Sequence, residues 1–182
     1  MLEDRLLILR CKRGSRTAFQ RIYEKYESDL RTLAANLLDD KAAAEDIVHD
    51  VFVSLLQTLE KFELKSSLPG FLKTCVANRA RNYAKKRQNQ TVKVNETEQL
   101  ISIDNEPIRL MIQNEELQRL GFAMSRLPYE QREAIVLHLN GRMKFRAIAQ
   151  LQQVSIKTAH SRYRTGLGGL KSILNGDIER RG

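Results

Sequence analysis

Tryptophan is absent from this 182-residue chain, and proline (3), cysteine (2) and glycine (9) are sparse. A chain without Trp and with so few turn glycines does not read as a β-sandwich. Cys11 and Cys75 stand far apart with no metal-ligand spacing. They read as reduced core thiols, which excludes a disulfide scaffold and a cysteine zinc site. No apolar run is long enough to span a bilayer. The opening Met1-Leu2-Glu3-Asp4-Arg5 puts acids where a signal peptide carries bare positive charge, so export is not expected and the expected location is cytoplasmic.

The most informative absence is of carboxylates. None occurs from Leu64 to Asn95, and none from Ala134 to Gly176. The first stretch carries Lys65, Lys73, Arg79, Arg81, Lys85, Lys86, Arg87 and Lys93. The second carries Arg142, Lys144, Arg146, Lys157, Arg162, Arg164 and Lys171. The acids gather instead mainly in 39–63 and 96–133. With a net charge of +9 and a pI near 9.8, such sorting makes two positive surfaces suited to a polyanion. An anionic membrane would attract the same charge, but no segment has an apolar face opposite a Lys-rich one. One basic stretch alone would read as a solvated face; two, each ending in a helical pattern, point to nucleic acid.

What is present is helical periodicity, with no strand required. Leu2, Leu6 and Leu9 make a short first helix that stops at Arg13-Gly14, and Ser15 can cap the next. Phe19, Ile22, Tyr23, Tyr26, Leu30, Leu33 and Leu37 recur every three or four residues as one core stripe. Asp39-Asp40 stand at the start of another helix, where carboxylates suit the dipole, with Ile47, Val51, Leu55 and Leu59 as its stripe. Pro69 suits the first turn of the following helix, with Leu68, Phe71, Leu72, Cys75 and Val76 inward and a basic end from Arg79 to Arg87. Residues 88–106 have no clear period and read as a flexible linker. Pro107 opens a helix with Leu110, Leu117, Leu120, Met124 and Leu127 inward, and Pro128 opens one carrying Ile135, Val136 and Leu139. The expected fold is all-α: two small helical domains, 1–87 and 107–182, joined by that linker.

The C-terminal pair of helices is the sharpest local signal. Phe145 to Leu151 forms a short helix with Ile148 and Leu151 inward, Gln152-Gln153-Val154 a tight turn, and Ser155 an N-cap. On the last helix Ile156, Ala159, Tyr163, Leu167 and Leu170 fall on one side, and Thr158, Ser161 and Thr165 on the other. This is a helix-turn-helix plan, in which the second helix lies in the major groove. Short hydroxyls reach base edges, while Lys157, Arg162 and Arg164 suit phosphate or guanine. The same pattern also fits an ordinary helical hairpin with a polar outer face.

Four stretches carry a family resemblance: Ala18-Phe19 through Tyr23 and Tyr26; Ala44-Glu45-Asp46-Ile47-Val48-His49-Asp50-Val51-Phe52; Phe71-Leu72 through Ala77-Asn78 to Lys85-Lys86-Arg87; and Leu127-Pro128 with Gln131-Arg132-Glu133 and the helix-turn-helix. In order and spacing the chain resembles the extracytoplasmic-function (ECF) sigma factors, sigma-70 family subunits of bacterial RNA polymerase. The resemblance implies a non-enzymatic subunit that directs promoter-specific transcription initiation without a cofactor. Asp46, His49 and Asp50 match the motif that docks on the clamp helices of the polymerase largest subunit. Their spacing independently stands both carboxylates on one helix face beside Glu45. Lys65 and Ser66, in the loop 63–67, and Asn78, Arg79, Asn82, Lys85 and Lys86 match the positions expected to hold the −10 strand and an extruded base; Asn78 reads equally as a plain surface residue. Lys157, Thr158, Ser161, Arg162, Arg164 and Thr165 match the −35 recognition helix. Members of the family are often held inactive by an anti-sigma factor, which joins core polymerase and promoter DNA among the expected partners; membrane insertion is not expected.

The chain departs from the family pattern in places. Phe71 stands where Trp is frequent, Gln153 where the turn often has Gly, Asn82 where Asp is usual, and Pro69-Gly70 is unusual before its helix. Gly166, Gly168 and Gly169 each cost a helix interior up to about 1 kcal/mol, so the recognition helix is expected to fray near Gly166. Two other readings predict different behaviour. A stand-alone helix-turn-helix regulator would bind duplex DNA without polymerase. A metal nuclease built on Glu45, Asp46, His49 and Asp50 would need further ligands at a spacing the chain does not offer.

Overall fold

A computed structural model describes residues 2–38, 40–64, 67–94 and 115–179. Among these residues are eight α-helices and one 3-10 turn, with no strand: α1 (Leu2–Lys12), α2 (Arg16–Leu38), α3 (Lys41–Thr58), the turn Leu59–Lys61, α4 (Leu68–Val94), α5 (Glu115–Ser125), α6 (Tyr129–Leu139), α7 (Phe145–Gln152) and α8 (Ile156–Glu179).

The helix boundaries follow from local chemistry. α1 ends in a turn where Gly14 takes φ +85°, a left-handed conformation that costs glycine little. Ser15 Oγ then accepts from Ala18 N–H at 3.3 Å, capping α2. Asp40 caps α3 by accepting from Ala43 N–H at 3.0 Å. That bond comes first in holding the Asp40 carboxyl below its ordinary value; burial opposes it and a hydrogen bond from Tyr83 adds to it. Ser67 Oγ accepts from Gly70 N–H at 3.2 Å in the first turn of α4. At the far end of α7, Gln153 adopts φ +54°, so a side chain sits in the left-handed position that usually favours glycine.

α1 to α4 enclose the first core. Ile22, Leu30, Leu33 and Leu37 of α2 meet Val48, Val51 and Leu55 of α3 and Leu68, Leu72 and Val76 of α4, all essentially buried. Each such side chain contributes about 1.5–3 kcal/mol by leaving water. α1 differs from expectation. Leu2, Leu6 and Leu9 face solvent, while Leu7, Ile8, Cys11 and Asp4 face inward. Asp4 chooses the face: it accepts from Tyr26 Oη at 2.6 Å and from Lys25 Nζ at 2.9 Å, so a carboxylate is anchored inside. Cys11 is buried and Cys75 half-buried, both free, and burial raises both thiols above their ordinary range.

α5 to α8 form the second unit, and α6 packs across to α2 while α7 reaches α4, so the two cores are continuous. Here too some apolar residues differ from the sequence reading. Leu117, Leu120, Leu139 and Ile156 are exposed, and Ala123 and Leu137 are buried in their stead, while Leu127 and Ala159 are buried as expected. The expected fraying of α8 is also not found: the helix runs unbroken through Gly166, Gly168 and Gly169. A Cβ at Gly166 would lie 2.9 Å from Ile135 Cδ1 and 3.1 Å from Gln131 Cβ, and one at Gly169 would lie 3.1 Å from Leu127 Cδ2. Gly166 lets α8 approach α6 closely, and Gly169 makes room for Leu127 in the turn before α6. α4 is helical through Val94, into the stretch read as linker. Of the helix expected from Pro107, α5 is the described part; its start, with Leu110, and the rest of the 88–106 linker beyond Val94 lie outside the described residues.

Candidate nucleic-acid and polymerase interfaces

On α3, the register that buries Ile47, Val48 and Val51 leaves Asp46, His49 and Asp50 exposed together on the outer face. Glu45 stands beside them, bonded to Arg31 of α2 at 2.6 Å. Among the described residues no three His, Cys, Asp or Glu side chains gather closely enough to hold a metal ion. The face is therefore acidic and open, with its flank tied to a cation.

On α4, Asn78, Asn82, Lys85 and Lys86 are exposed on the half of the helix beyond the core residues Leu72, Val76, Ala77 and Ala80. Arg79 is half-buried and committed: it donates to Ser54 Oγ at 2.6 Å and to the Asp50 carbonyl at 3.5 Å, which braces α3 against α4. Lys65 and Ser66 lie outside the described residues. Phe71 fills its expected place by packing on Phe62, with ring centroids 4.8 Å apart.

In the helix-turn-helix, Ser155 Oγ accepts from Thr158 N–H at 3.0 Å and contacts Thr158 Oγ1 at 2.8 Å, so the first turn of α8 is preset. Lys157, Thr158, Ser161, Arg164 and Thr165 are exposed along one side of α8. Arg162 is half-buried and donates to Gln152 Oε1 at 2.9 Å, tying the recognition helix to the end of α7. Phe145 stacks on His138 at 4.3 Å and meets Tyr163 and His160 edge-on. His138 is thus structural, with Nδ1 3.0 Å from the Met143 carbonyl.

Sequence reading missed the polar centre of the second unit. Glu133 is fully buried in α6. Its carboxylate accepts from Gln152 Nε2 at 2.9 Å and from Tyr129 Oη at 3.4 Å, and it is ion-paired with Arg81 of α4. Burial first, then the Glu133 charge, drives the Tyr129 hydroxyl far above its ordinary value. A buried carboxylate survives only when paired and hydrogen-bonded, and removing one partner costs about 3–5 kcal/mol. The signal available in the sequence was an acid directly followed by Ala134-Ile135-Val136, in a helix whose register faces it inward.

Three exposed faces on a two-part helical fold, one acidic and two basic or polar, describe a DNA-binding protein that also docks on a protein partner. Comparison with known proteins gives the family. The profile described as Sigma-70 region 2 matches residues 22–90, and that described as Sigma-70, region 4 matches residues 117–167; between them they match well over half of the chain. The chain belongs to the sigma-70 family, in its ECF group, and is an RNA polymerase sigma factor that directs promoter-specific initiation. It is 26% identical over 172 residues to the ECF RNA polymerase sigma-E factor of Escherichia coli K12, and 22% identical over 169 residues to the RNA polymerase sigma-H factor of Pseudomonas aeruginosa, covering 88% of both chains in each case. Two solved structures share the fold. The sigma factor RpoE of Bartonella quintana, in complex with the anti-sigma factor NepR, superposes with a TM-score of 0.69 at 24% identity, covering 86% of this chain and 96% of that one. CnrH, in complex with the cytosolic domain of CnrY, gives 0.66 at 21% identity, covering 96% and 99%. A match to region 2 as well as region 4 disfavours a stand-alone helix-turn-helix regulator, which needs no polymerase-docking domain. No helix among the described residues is long and apolar enough to cross a membrane.

Proposed function

We propose that the three faces divide the work of initiation among named residues. Asp46, His49 and Asp50 dock on the clamp helices of the polymerase largest subunit. Asn78, Asn82, Lys85 and Lys86 hold the displaced −10 strand together with Lys65 and Ser66, while Arg79 stiffens that surface from behind. Lys157, Thr158, Ser161, Arg164 and Thr165 enter the −35 major groove, and Arg162 orients α8 through Gln152 as well as facing the backbone. The division of labour runs 1–87 for docking and the −10 element, 88–106 as tether, and 107–182 for the −35 element. The protein acts in the cytoplasm, without catalysis of its own, and its activity is opposed by an anti-sigma factor.

The observation that carries this reading is the register of α3 and α8: each buries its apolar side so that every polar residue assigned to a partner there, Arg162 apart, stands exposed. Hydroxyls read base edges and cations neutralise phosphate, while the exposed carboxylates of α3 suit a basic protein surface. Run-off transcription with core polymerase on genomic fragments tests it. Discrete transcripts that need both core and this protein support the reading. Transcripts that persist when Asp46, His49 and Asp50 are all replaced by alanine would count against the docking assignment.

A further inference from the structure

We propose that Arg81 and Glu133 form a latch that holds the two helical domains closed, and that the latch must open before this sigma factor can use both halves of a promoter. Arg81 lies on α4, among the residues assigned to the −10 strand, yet its guanidinium is turned to the other domain. Its Nε donates to Glu133 Oε1 at 3.1 Å and its Nη2 to Glu133 Oε2. The pair is sheltered, with the Glu133 side chain 0% and the Arg81 side chain 13% exposed. Glu133 continues through Gln152 to Arg162 of the recognition helix. One chain of polar contacts therefore joins the −10 surface to the −35 helix. A second bond crosses the same seam, from Lys73 Nζ to the Gly141 carbonyl at 3.2 Å.

The closed arrangement conflicts with promoter binding in two ways. The first is reach. Elements about 25 base pairs apart on a duplex rising 3.4 Å per pair are separated by roughly 85 Å. A closed chain of this length has a radius of gyration of about 16 Å, a body roughly 40 Å across. The second is access. Arg81, Tyr83, Lys85, Arg87 and Gln88 of α4 form one wall of a cleft of about 540 Å³, and 125–132 of the second domain supplies the other. Of the residues assigned to the −10 strand, Lys85 thus faces the second domain across this cleft. Opening hydrates Glu133 and returns Arg81 to the strand surface, so the same cation that closes the free protein becomes available to DNA. The consequence for strand binding rests on the −10 assignment of α4 above; the latch itself does not.

The test uses the full chain with Arg81→Gln and Glu133→Gln. Glu133→Gln is isosteric and keeps one acceptor oxygen, enough for either Gln152 or Tyr129, so it keeps the test available if the other variant loses helix by circular dichroism. Removing either charge is expected to lower the closed-to-open ratio on the order of 100-fold. Small-angle scattering should then show the radius of gyration rising by about 4 Å or more as two smaller bodies separate. Glu133→Gln, which leaves α4 untouched, should also bind labelled oligothymidine at least about fivefold more tightly. Glu24→Gln, the same charge change on the exposed face of α2, should do neither. Scattering curves that match wild type in both variants would overturn the latch and leave the sigma-factor assignment intact. Expansion without tighter strand binding would uphold the latch and sink the strand role of α4.

Discussion

Two glycines of α8, two residues apart and so on opposite faces of the helix, are expected to respond oppositely to the same methyl group. At Gly168 a Cβ meets nothing within 4 Å. Gly168→Ala should therefore deliver the helix-propensity gain alone, about 1 kcal/mol of added stability. At Gly166 the same Cβ falls 2.9 Å from Ile135 Cδ1, 3.1 Å from Gln131 Cβ and 3.3 Å from the Gln131 carbonyl oxygen. The isoleucine methyl can turn aside, but the Gln131 atoms belong to the spine of α6 and cannot. Overpacking of this kind costs about 1–3 kcal/mol, which cancels or exceeds the propensity gain. The expected net change is a loss of roughly 0–2 kcal/mol. At about 2–4 °C per kcal/mol, thermal melts should separate the two variants by several degrees, Gly168→Ala above wild type and Gly166→Ala at or below it. Equal shifts in the same direction would refute the close approach of α8 to α6.

Three further outcomes follow from the same geometry. Lys157→Ala, at the exposed start of α8, should lower the slope of log affinity against log salt by about 0.9 for −35 duplex bound with holoenzyme; an unchanged slope removes Lys157 from the phosphate contacts. Asp50→Arg should weaken core polymerase binding by about tenfold or more with the melting curve unchanged, because the side chain is exposed and only the Asp50 carbonyl is used by Arg79; intact co-purification with core would contradict the docking role. Burial pushes the Asp4 carboxyl up, but hydrogen bonds from Tyr26 and Lys25 outweigh it and hold it below its ordinary 3.8. Its stabilisation is thus present above that value and lost as pH falls below it through the lowered folded value, so Tyr26→Phe should cost about 1–2 kcal/mol at pH 7 and progressively less in urea unfolding as the pH is taken down through that range.

Much of this fold is legible in the residues themselves, and the parts that are not share a cause. Ser15 and Asp40 are caps by chemistry, and the stripe from Ile22 to Leu37 is long enough to fix its own face. α1 is too short for that. Its three leucines at 2, 6 and 9 outvote Asp4 on any hydrophobic count, yet the bonds from Tyr26 and Lys25 turn Asp4 inward and carry Leu7 and Ile8 with it. A local pattern cannot see a partner more than twenty residues away. The glycines of α8 misled for the same reason: intrinsic propensity makes them weak points, while the close approach of α6 leaves no room for a side chain at Gly166. At the candidate sites, exposure of Asp46, His49 and Asp50 and of Lys157, Thr158 and Ser161 follows from helix register, which the sequence states plainly. The commitment of Arg79 to Ser54, of Arg162 to Gln152 and of Arg81 to Glu133 does not, because each depends on how helices meet. Basic residues that look interchangeable in a carboxylate-free stretch turn out to be of two kinds, some facing solvent and some joining helices.

Permanganate reactivity of promoter thymines, measured on a fragment selected by run-off transcription, is the most direct check on the central claim that this chain turns core polymerase into a promoter-opening enzyme. Reactive thymines at the −10 element are expected only when core and this protein are both present, and to disappear when Asn78 and Asn82 are replaced together. Unreactive DNA with both components present, or duplex protection by this protein alone with no effect of core, would contradict the account.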